Sequence, residues 1–204
     1  MQFAAILAGG SGVRMGNPNK PKQFFYLGDK PILVHTLEKF CAAGCFDGIL
    51  VLTPATWIQQ TKDIIAKHCP QYAGQVAVIA GGAERNDTIM NAIRYFEDEC
   101  QADDASIIVT HDAVRPFVSL RIIEDNIAAA LAHGACDTVV PATDTIVESL
   151  DGELISSIPN RSVLYQGQTP QSFNMRELRE TLESLTPEES AILTDACKAF
   201  VLRG

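Results

Sequence analysis

No run of this 204-residue chain approaches the roughly 18 uncharged apolar positions that a helical membrane span needs. Positive charge is scarce too. Sixteen Lys and Arg against 25 Asp and Glu leave a net charge of −9, which argues against general nucleic-acid binding, since that requires a basic face. A secretory leader is not apparent: Met1 to Leu7 is apolar, but no basic stretch precedes it and no small-residue cleavage site follows a long apolar segment. A cytoplasmic protein is expected. Metal-site spacing is missing as well. Cys41 and Cys45 would share one helical face, yet no second Cys/His pair completes a zinc site, so Cys41, Cys45, Cys69, Cys100, Cys136 and Cys197 read as reduced, buried thiols. No linker, repeat or low-complexity segment divides the chain, which predicts one domain over residues 1–204.

What is present is an alternation. Apolar, β-rich runs at Phe3–Ala8, Gly48–Thr53, Val76–Ala80, Ser106–Thr110 and Asp137–Ala142 are separated by amphipathic stretches. The helical patterns begin near Pro31, Trp57, the Gly81–Asp87 segment and Ser119, and Gly44 ends the first of them. The stripe after Ser119 is Ile123, Ile127, Ala130 and Leu131. This order predicts an α/β fold, a mostly parallel sheet covered by helices. Residues 143–166 break the rhythm. They read as two short strands around a turn at Asp151-Gly152, a β-hairpin arm that would reach a partner subunit or cap a site. Beyond it, Asn174-x-x-Glu177 and Thr186-Pro187-x-Glu189 have capping-box spacing. A helix over 187–200 is expected to lead into Phe200–Gly204 as the entry to a further strand.

Three strand ends carry chemistry. The first opens LAGGSGVRMGNPNKPKQF (Leu7–Phe24), which contains Arg14, Lys20 and Lys22 and no acidic residue. It fails the nucleoside-triphosphatase phosphate loop, because Gly10 pairs with Met15 and Gly9 with Arg14. It also fails G-x-G-x-x-G, since position 15 is methionine. A glycine loop at the C-terminal edge of a sheet remains, where backbone amides approach phosphate oxygens and Arg14 and Lys22 offset charge on a phosphorus centre. The plainer alternative is a tight turn with solvated cations. The second is HDAVRPF (His111–Phe117): Asp112 suits a metal ion or a basic partner and Arg115 suits a phosphate, or the two brace a turn as an ion pair. The third is GGAERNDT (Gly81–Thr88), whose backbone and Thr88 hydroxyl suit a base edge, while Glu84 and Arg85 read equally well as surface charges. Three such strand ends favour a nucleotide site.

Together LAGGSGVRMGNPNKPKQF, GGAERNDTIMNAI, HDAVRPF, Asp144-Thr145 and QTPQSF (Gln168–Phe173) resemble the sugar- and polyol-phosphate cytidylyltransferases, in order and spacing, from residue 3 to the end of the chain. The wording of RNDTIMNAIR, YQGQTPQSFN and LTDACK looks more like the ribitol-phosphate branch than the methylerythritol-phosphate branch. The resemblance implies a Rossmann-like nucleotidyltransferase fold with helices on both faces of the sheet. It implies a reaction in which an acceptor phosphate attacks the α-phosphorus of CTP and pyrophosphate leaves. By motif position, Arg14 and Lys22 would be catalytic. Gly9, Gly10 and Gly12 would wrap the triphosphate, with Leu7 and Ala8 completing that nucleotide-binding run. Gly81, Gly82, Ala83 and Thr88 would contact the cytosine. Asp112, Arg115, Thr145, Arg161 and Thr169 would bind the acceptor, with Thr145 and Arg161 reaching the neighbouring subunit of a homodimer built through the arm. Mg2+ is expected on the triphosphate, with Asp112 as a candidate ligand. Family members carry a further lysine on elements beyond this point, so a chain continuing past Gly204 is expected. The implied partners are CTP and a polyol phosphate: ribitol 5-phosphate, giving CDP-ribitol for a cell-surface polymer, or methylerythritol phosphate in isoprenoid synthesis. A nucleotide-binding regulatory module without catalysis is the alternative of a different class.

Overall fold

Short apolar segments with no polar side are stable only when both faces are covered, and this chain supplies four of them. The computed structural model describes residues 1–10, 20–191, 193 and 195–203. Its elements run β1 (Gln2–Leu7), β2 (Tyr26–Leu27), β3 (Lys30–Pro31), α1 (Ile32–Ala43), β4 (Gly48–Thr53), α2 (Ile58–His68), β5 (Val76–Ala80) and α3 (Arg85–Cys100). They continue with β6 (Ile107–Asp112), α4 (Leu120–His133), β7 (Ala135–Pro141), β8 (Tyr165–Asn174), α5 (Met175–Glu183), α6 (Pro187–Ala191) and α7 (Ala196–Arg203). The main sheet has the order β5-β4-β1-β6-β8-β7. β5, β4, β1 and β6 are parallel, as expected, and β8 runs antiparallel to both β6 and β7.

Alternation along the strands divides the core into two layers. Ala4, Ile6, Ile49, Val51, Ile107 and Val109 face one way, against Leu33, Leu37 and Phe40 of α1, Ile65 of α2, and Ile123, Ile127 and Ala130 of α4. Phe3, Ala5, Leu50, Leu52 and Ile108 face the other, against Ile89, Ala92, Ile93 and Phe96 of α3, with Met175, Leu178 and Ala196 beyond. Phe3 stacks on Phe96 with ring centroids 4.5 Å apart. Leu131, expected in the stripe of α4, is exposed instead, because it falls one position past the face that Ile127 and Ala130 present to the sheet. Helix ends follow local chemistry. Gly44 takes the left-handed conformation (φ 65°) that closes α1, and Ser119 caps α4 by accepting from the Ile122 amide. Asn174 likewise accepts from the Glu177 amide, and Thr186 and Glu189 close a reciprocal capping box. The six cysteines are unpaired thiols, with Cys41 and Cys69 buried and the other four partly so.

Three expectations need correction. β8 was not anticipated as a strand, since YQGQTPQSFN is polar and holds a glycine and a proline. Its pairing comes from outside: β6 and β7 bind its two edges, and its last residues are buried between them. The arm is a loop more than a hairpin. Its turn forms, with Asp151 Oδ1 accepting from the Glu153 and Leu154 amides at 2.9 Å, but pairing is limited to one bridge, Glu148–Ser157. A two-stranded ribbon with no face to pack on is marginal in water, and residues 147–158 are all exposed. The regular hairpin lies at the root instead, where β7 pairs with β8 up to Pro141–Tyr165, so Tyr165 and Gln166 belong to the sheet. At the other end, 187–203 forms two short helices, not one helix leading into a strand. Phe200 stacks on Phe173 of β8 at 5.3 Å, and Arg203 binds Glu189 and the Ser184 carbonyl.

Phe173 therefore joins β8 to α7. Phe173→Ala should destabilise the fold by about 3–5 kcal/mol, the usual cost of truncating a fully buried ring. A urea denaturation midpoint close to wild type would show that this stack contributes little.

Candidate active site at the strand ends

The C-terminal ends of β1, β5 and β6 open on one edge of the sheet, the side where α/β proteins bind ligands. At β1, the Ala8 amide donates to the Leu52 carbonyl (2.8 Å), and the Ala8 carbonyl accepts from Gln23 Nε2 (2.6 Å). Gln23 is buried, so the two ends of the glycine loop are pinned together. Between buried Pro21 and Gln23, Lys22 starts a 3-10 turn and is half-exposed. It has no ion-pair partner among the described residues. Lys20 lies over the rings of Phe25 and Tyr26. Gly9 and Gly10 are exposed, and a Cβ added at either would meet nothing within 4 Å, so neither glycine relieves crowding among described atoms. Gly12 and Arg14 lie outside the described residues.

The β5–α3 loop is closed by hydrogen bonds of its own and tied to β4 by the Gly81 amide, which donates to the Thr53 carbonyl. Glu84 and Asp87 form a reciprocal capping box at the start of α3. The Gly82 amide donates to Thr88 Oγ1, and that hydroxyl donates to the Glu84 carbonyl, both at 2.9 Å. A Cβ on Gly82 would sit 2.2 Å from that of Asp87, so glycine is required there. Gly81, Gly82 and Ala83 line the outside of the loop, while Thr88 is buried and its hydroxyl is engaged within it. Glu84 is thus a helix cap, and Arg85 is not a surface charge.

Arg85 reaches the end of β6, where Nη1 binds Asp112 Oδ1 at 2.8 Å. Arg115 Nε binds the other carboxylate oxygen at 3.0 Å, and its Nη1 donates to Gln168 Oε1. Burial pushes the Asp112 carboxyl up, but the two guanidiniums outweigh it and hold it below the usual carboxylate range. Of the sequence readings of Asp112 and Arg115, the structure shows the ion pair, and both side chains remain partly exposed. Beneath it, Thr169 joins β8 to β6. Its hydroxyl accepts from the Asp112 amide (3.3 Å) and lies 3.0 Å from His111 Nδ1. His111 Nε2 lies 3.0 Å from the Arg115 carbonyl. A carbonyl only accepts, so Nε2 carries the proton and Nδ1 takes one from Thr169. Burial lowers the His111 pKa to about 4, so this neutral tautomer persists at neutral pH.

The structure brings Leu7, Ala8, Lys22, the Gly81–Thr88 loop, Asp112, Arg115 and Thr169 to the same edge. Thr145 and Arg161 stay apart. Thr145 is exposed on the arm, Arg161 donates to the Thr143 carbonyl at 2.7 Å, and no hydrogen bond or ion pair among the described residues joins them to Asp112. Arg85, His111 and Gln168 were missed by sequence reasoning. The one available signal was the cap spacing Glu84-x-x-Asp87, which leaves Arg85 as a cation at a helix N-terminus, where a cation is unfavourable. For Mg2+, the donor set does not form a protein cage. Among the described residues no group of three or more His, Cys, Asp or Glu could hold a metal, and both oxygens of Asp112 are already bound by arginines.

A family model for 2-C-methyl-D-erythritol 4-phosphate cytidylyltransferase (IspD) matches residues 3–204. The chain is 51% identical over its whole length to a ribitol-5-phosphate cytidylyltransferase of Lactiplantibacillus plantarum, covering 86% of that protein. The chain belongs to the IspD family. Solved structures agree on the fold. The Francisella tularensis 2-C-methyl-D-erythritol 4-phosphate cytidylyltransferase superposes with a TM-score of 0.80 at 26% identity, the chain covering 86% of it. The 4-diphosphocytidyl-2C-methyl-D-erythritol synthase of Anaerococcus prevotii gives 0.77 at 24% identity, with 82% covered. This IspD-family chain is a CTP-dependent cytidylyltransferase, as its motifs led us to expect.

The buried His111 makes a pH prediction. Its folded pKa of about 4 lies below the ordinary value of 6.5, so the unfolded chain takes up the proton first as pH falls. The stability that His111 contributes is complete above about pH 6.5 and declines between there and about pH 4, by on the order of 2–3 kcal/mol. Urea unfolding at stepped pH should show this slope in the wild type and a flatter one in His111→Gln. An unchanged slope would exclude His111 as its source.

Proposed function

We propose that this chain transfers the cytidylyl group of CTP to D-ribitol 5-phosphate, giving CDP-ribitol and pyrophosphate. The observation that carries the acceptor is the 51% identity, over the whole chain, to a protein named for ribitol 5-phosphate. A phosphate oxygen of the acceptor attacks the α-phosphorus in line, the bond to the bridging β-phosphate oxygen breaks, and pyrophosphate departs. No covalent enzyme intermediate forms, so the protein contributes positioning and charge stabilisation. In this reading the amides around Gly9 and Gly10 meet the triphosphate, and the β5–α3 loop meets the cytosine. Lys22, together with Arg14, offsets charge building on the α-phosphate. Arg115, oriented by Asp112 and Gln168, receives the acceptor phosphate. Magnesium bound to the triphosphate would offset charge on the phosphate oxygens, and Asp112, whose two oxygens already bind arginines, would be a poor ligand for it.

The partner expected through the arm is a second copy of the chain. Support comes from a row of apolar side chains on the arm, among them Leu150 and Leu154 at 95% and 73% exposed. In that dimer Thr145 and Arg161, which no hydrogen bond or ion pair among the described residues joins to Asp112 of their own chain, would serve the neighbouring site. Use of CTP and six unpaired thiols support a cytoplasmic location. A second reading, 2-C-methyl-D-erythritol 4-phosphate as acceptor, is favoured by the description of the matching family model.

Purified protein given CTP and magnesium should release pyrophosphate with ribitol 5-phosphate and at least tenfold more slowly with methylerythritol phosphate. The opposite preference would replace the first acceptor by the second. Lys22→Ala should lower turnover a hundredfold to a thousandfold, about 3–4 kcal/mol of lost charge stabilisation, without lowering the melting temperature. Near-normal turnover would remove Lys22 from the chemistry. Sedimentation should give a dimer that Leu150→Asp with Leu154→Asp converts to monomer; a monomeric wild type at tens of micromolar would sink the arm-mediated dimer.

A further inference from the structure

Arg85 is the first helical residue of α3, a position where the helix dipole disfavours a cation. Capping does not need it, because Glu84 and Asp87 satisfy the helix start between themselves. Its guanidinium instead spans 27 residues of sequence to Asp112, and the pair is only about a quarter exposed (28% and 25%). Arg85 Nε is buried without a hydrogen-bond partner among the described residues, so the ion pair to Asp112 is what the group is held for. Asp112 in turn holds Arg115, which binds Gln168 on β8. One carboxylate thus connects the β5–α3 loop to the β6–β8 edge.

We propose that Arg85 is a positioning residue for acceptor binding: through Asp112 it sets the orientation and the net charge of the Arg115 edge that receives the acceptor phosphate. The inference rests on the reading of that edge as the acceptor side. Its physical basis is a charge count. Arg85 and Arg115 against Asp112 leave one positive charge at the edge. Without Arg85, Asp112 cancels Arg115, and a phosphate dianion meets a neutral pair. Asp112 would also be free to rotate towards Arg115 alone, taking the guanidinium out of the plane that Gln168 helps define. A lysine at position 85 keeps the charge but not the planar fork, so it restores the first effect and only part of the second.

The test compares steady-state kinetics of wild type, Arg85→Gln and Arg85→Lys with CTP and ribitol 5-phosphate, each substrate varied in turn, alongside calorimetric binding of ribitol 5-phosphate. Arg85→Gln should raise the acceptor KM and Kd about tenfold or more while the CTP KM moves less than twofold. Arg85→Lys should recover a substantial part of that loss. In an Asp112→Asn background, Arg85→Gln should cost less than twofold further in acceptor Kd, because the group it orients has gone. A raised CTP KM with the acceptor constants unchanged would overturn the proposal and assign Arg85 to the nucleotide. Unchanged constants for both substrates, or full additivity with Asp112→Asn, would overturn it as well. A wild type that uses methylerythritol phosphate alone refutes the acceptor assignment, and the same split is then read with that substrate. A wild type active with neither refutes the functional reading and this inference together.

Discussion

β6 is bonded on one edge to a parallel neighbour, β1, and on the other to an antiparallel one, β8. That change of direction sets where the chain can hold a ligand. On the parallel side, strand ends lead into helices and leave loops with free backbone groups at a single edge. On the antiparallel side, β8 arrives from the arm and places Gln168 and Thr169 beside the end of β6. Asp112 is the last residue of β6 and sits at this junction. Its neighbour Ala113 donates to the Leu7 carbonyl, so the ends of β1 and β6 are fixed to each other as well. Buried layers on both faces, Phe40 and Ile127 on one side and Phe96 and Ile93 on the other, keep the strands in register.

Electrostatics then separates the edge from the body. The chain is acidic overall, but residues 1–28 have no carboxylate, and the single acid at the β6 end is outnumbered by two guanidiniums. A local positive site in a negative body suits a small anionic substrate better than a polyanion, since the surrounding field opposes the rest of a long nucleic acid. Support beneath the charged groups is neutral. His111 is held as an uncharged imidazole by burial, which outweighs the opposing pull of the Arg115 carbonyl, so it braces Thr169 and the Arg115 backbone without adding to the charge count. The thiols play no comparable part. Burial pushes Cys41 up to about 12, which removes it as a nucleophile.

Legibility followed the range of the interactions. β4 and β5 coincide with their apolar runs, and the caps at Gly44, Ser119, Asn174 and Thr186 lie where local chemistry puts them. β8 was opaque because its pairing is supplied by β6 and β7, not by its own side chains. The arm's turn was legible from Asp151-Gly152. Its pairing was not, because strand formation there depends on a surface to pack against. Of the site, the motif residues were visible because glycine, lysine and arginine at strand ends advertise their chemistry. Arg85 was ambiguous because its role depends on a carboxylate 27 positions away. By itself the sequence determined the parallel α/β half, the helix caps at Gly44, Ser119, Asn174 and Thr186, and the class of ligand, which rest on contacts within a few residues or on backbone chemistry. Only the tertiary structure decided that β8 completes the sheet, that His111 is neutral, and that Asp112 binds two arginines. Each of those joins groups that meet only after the strands have paired.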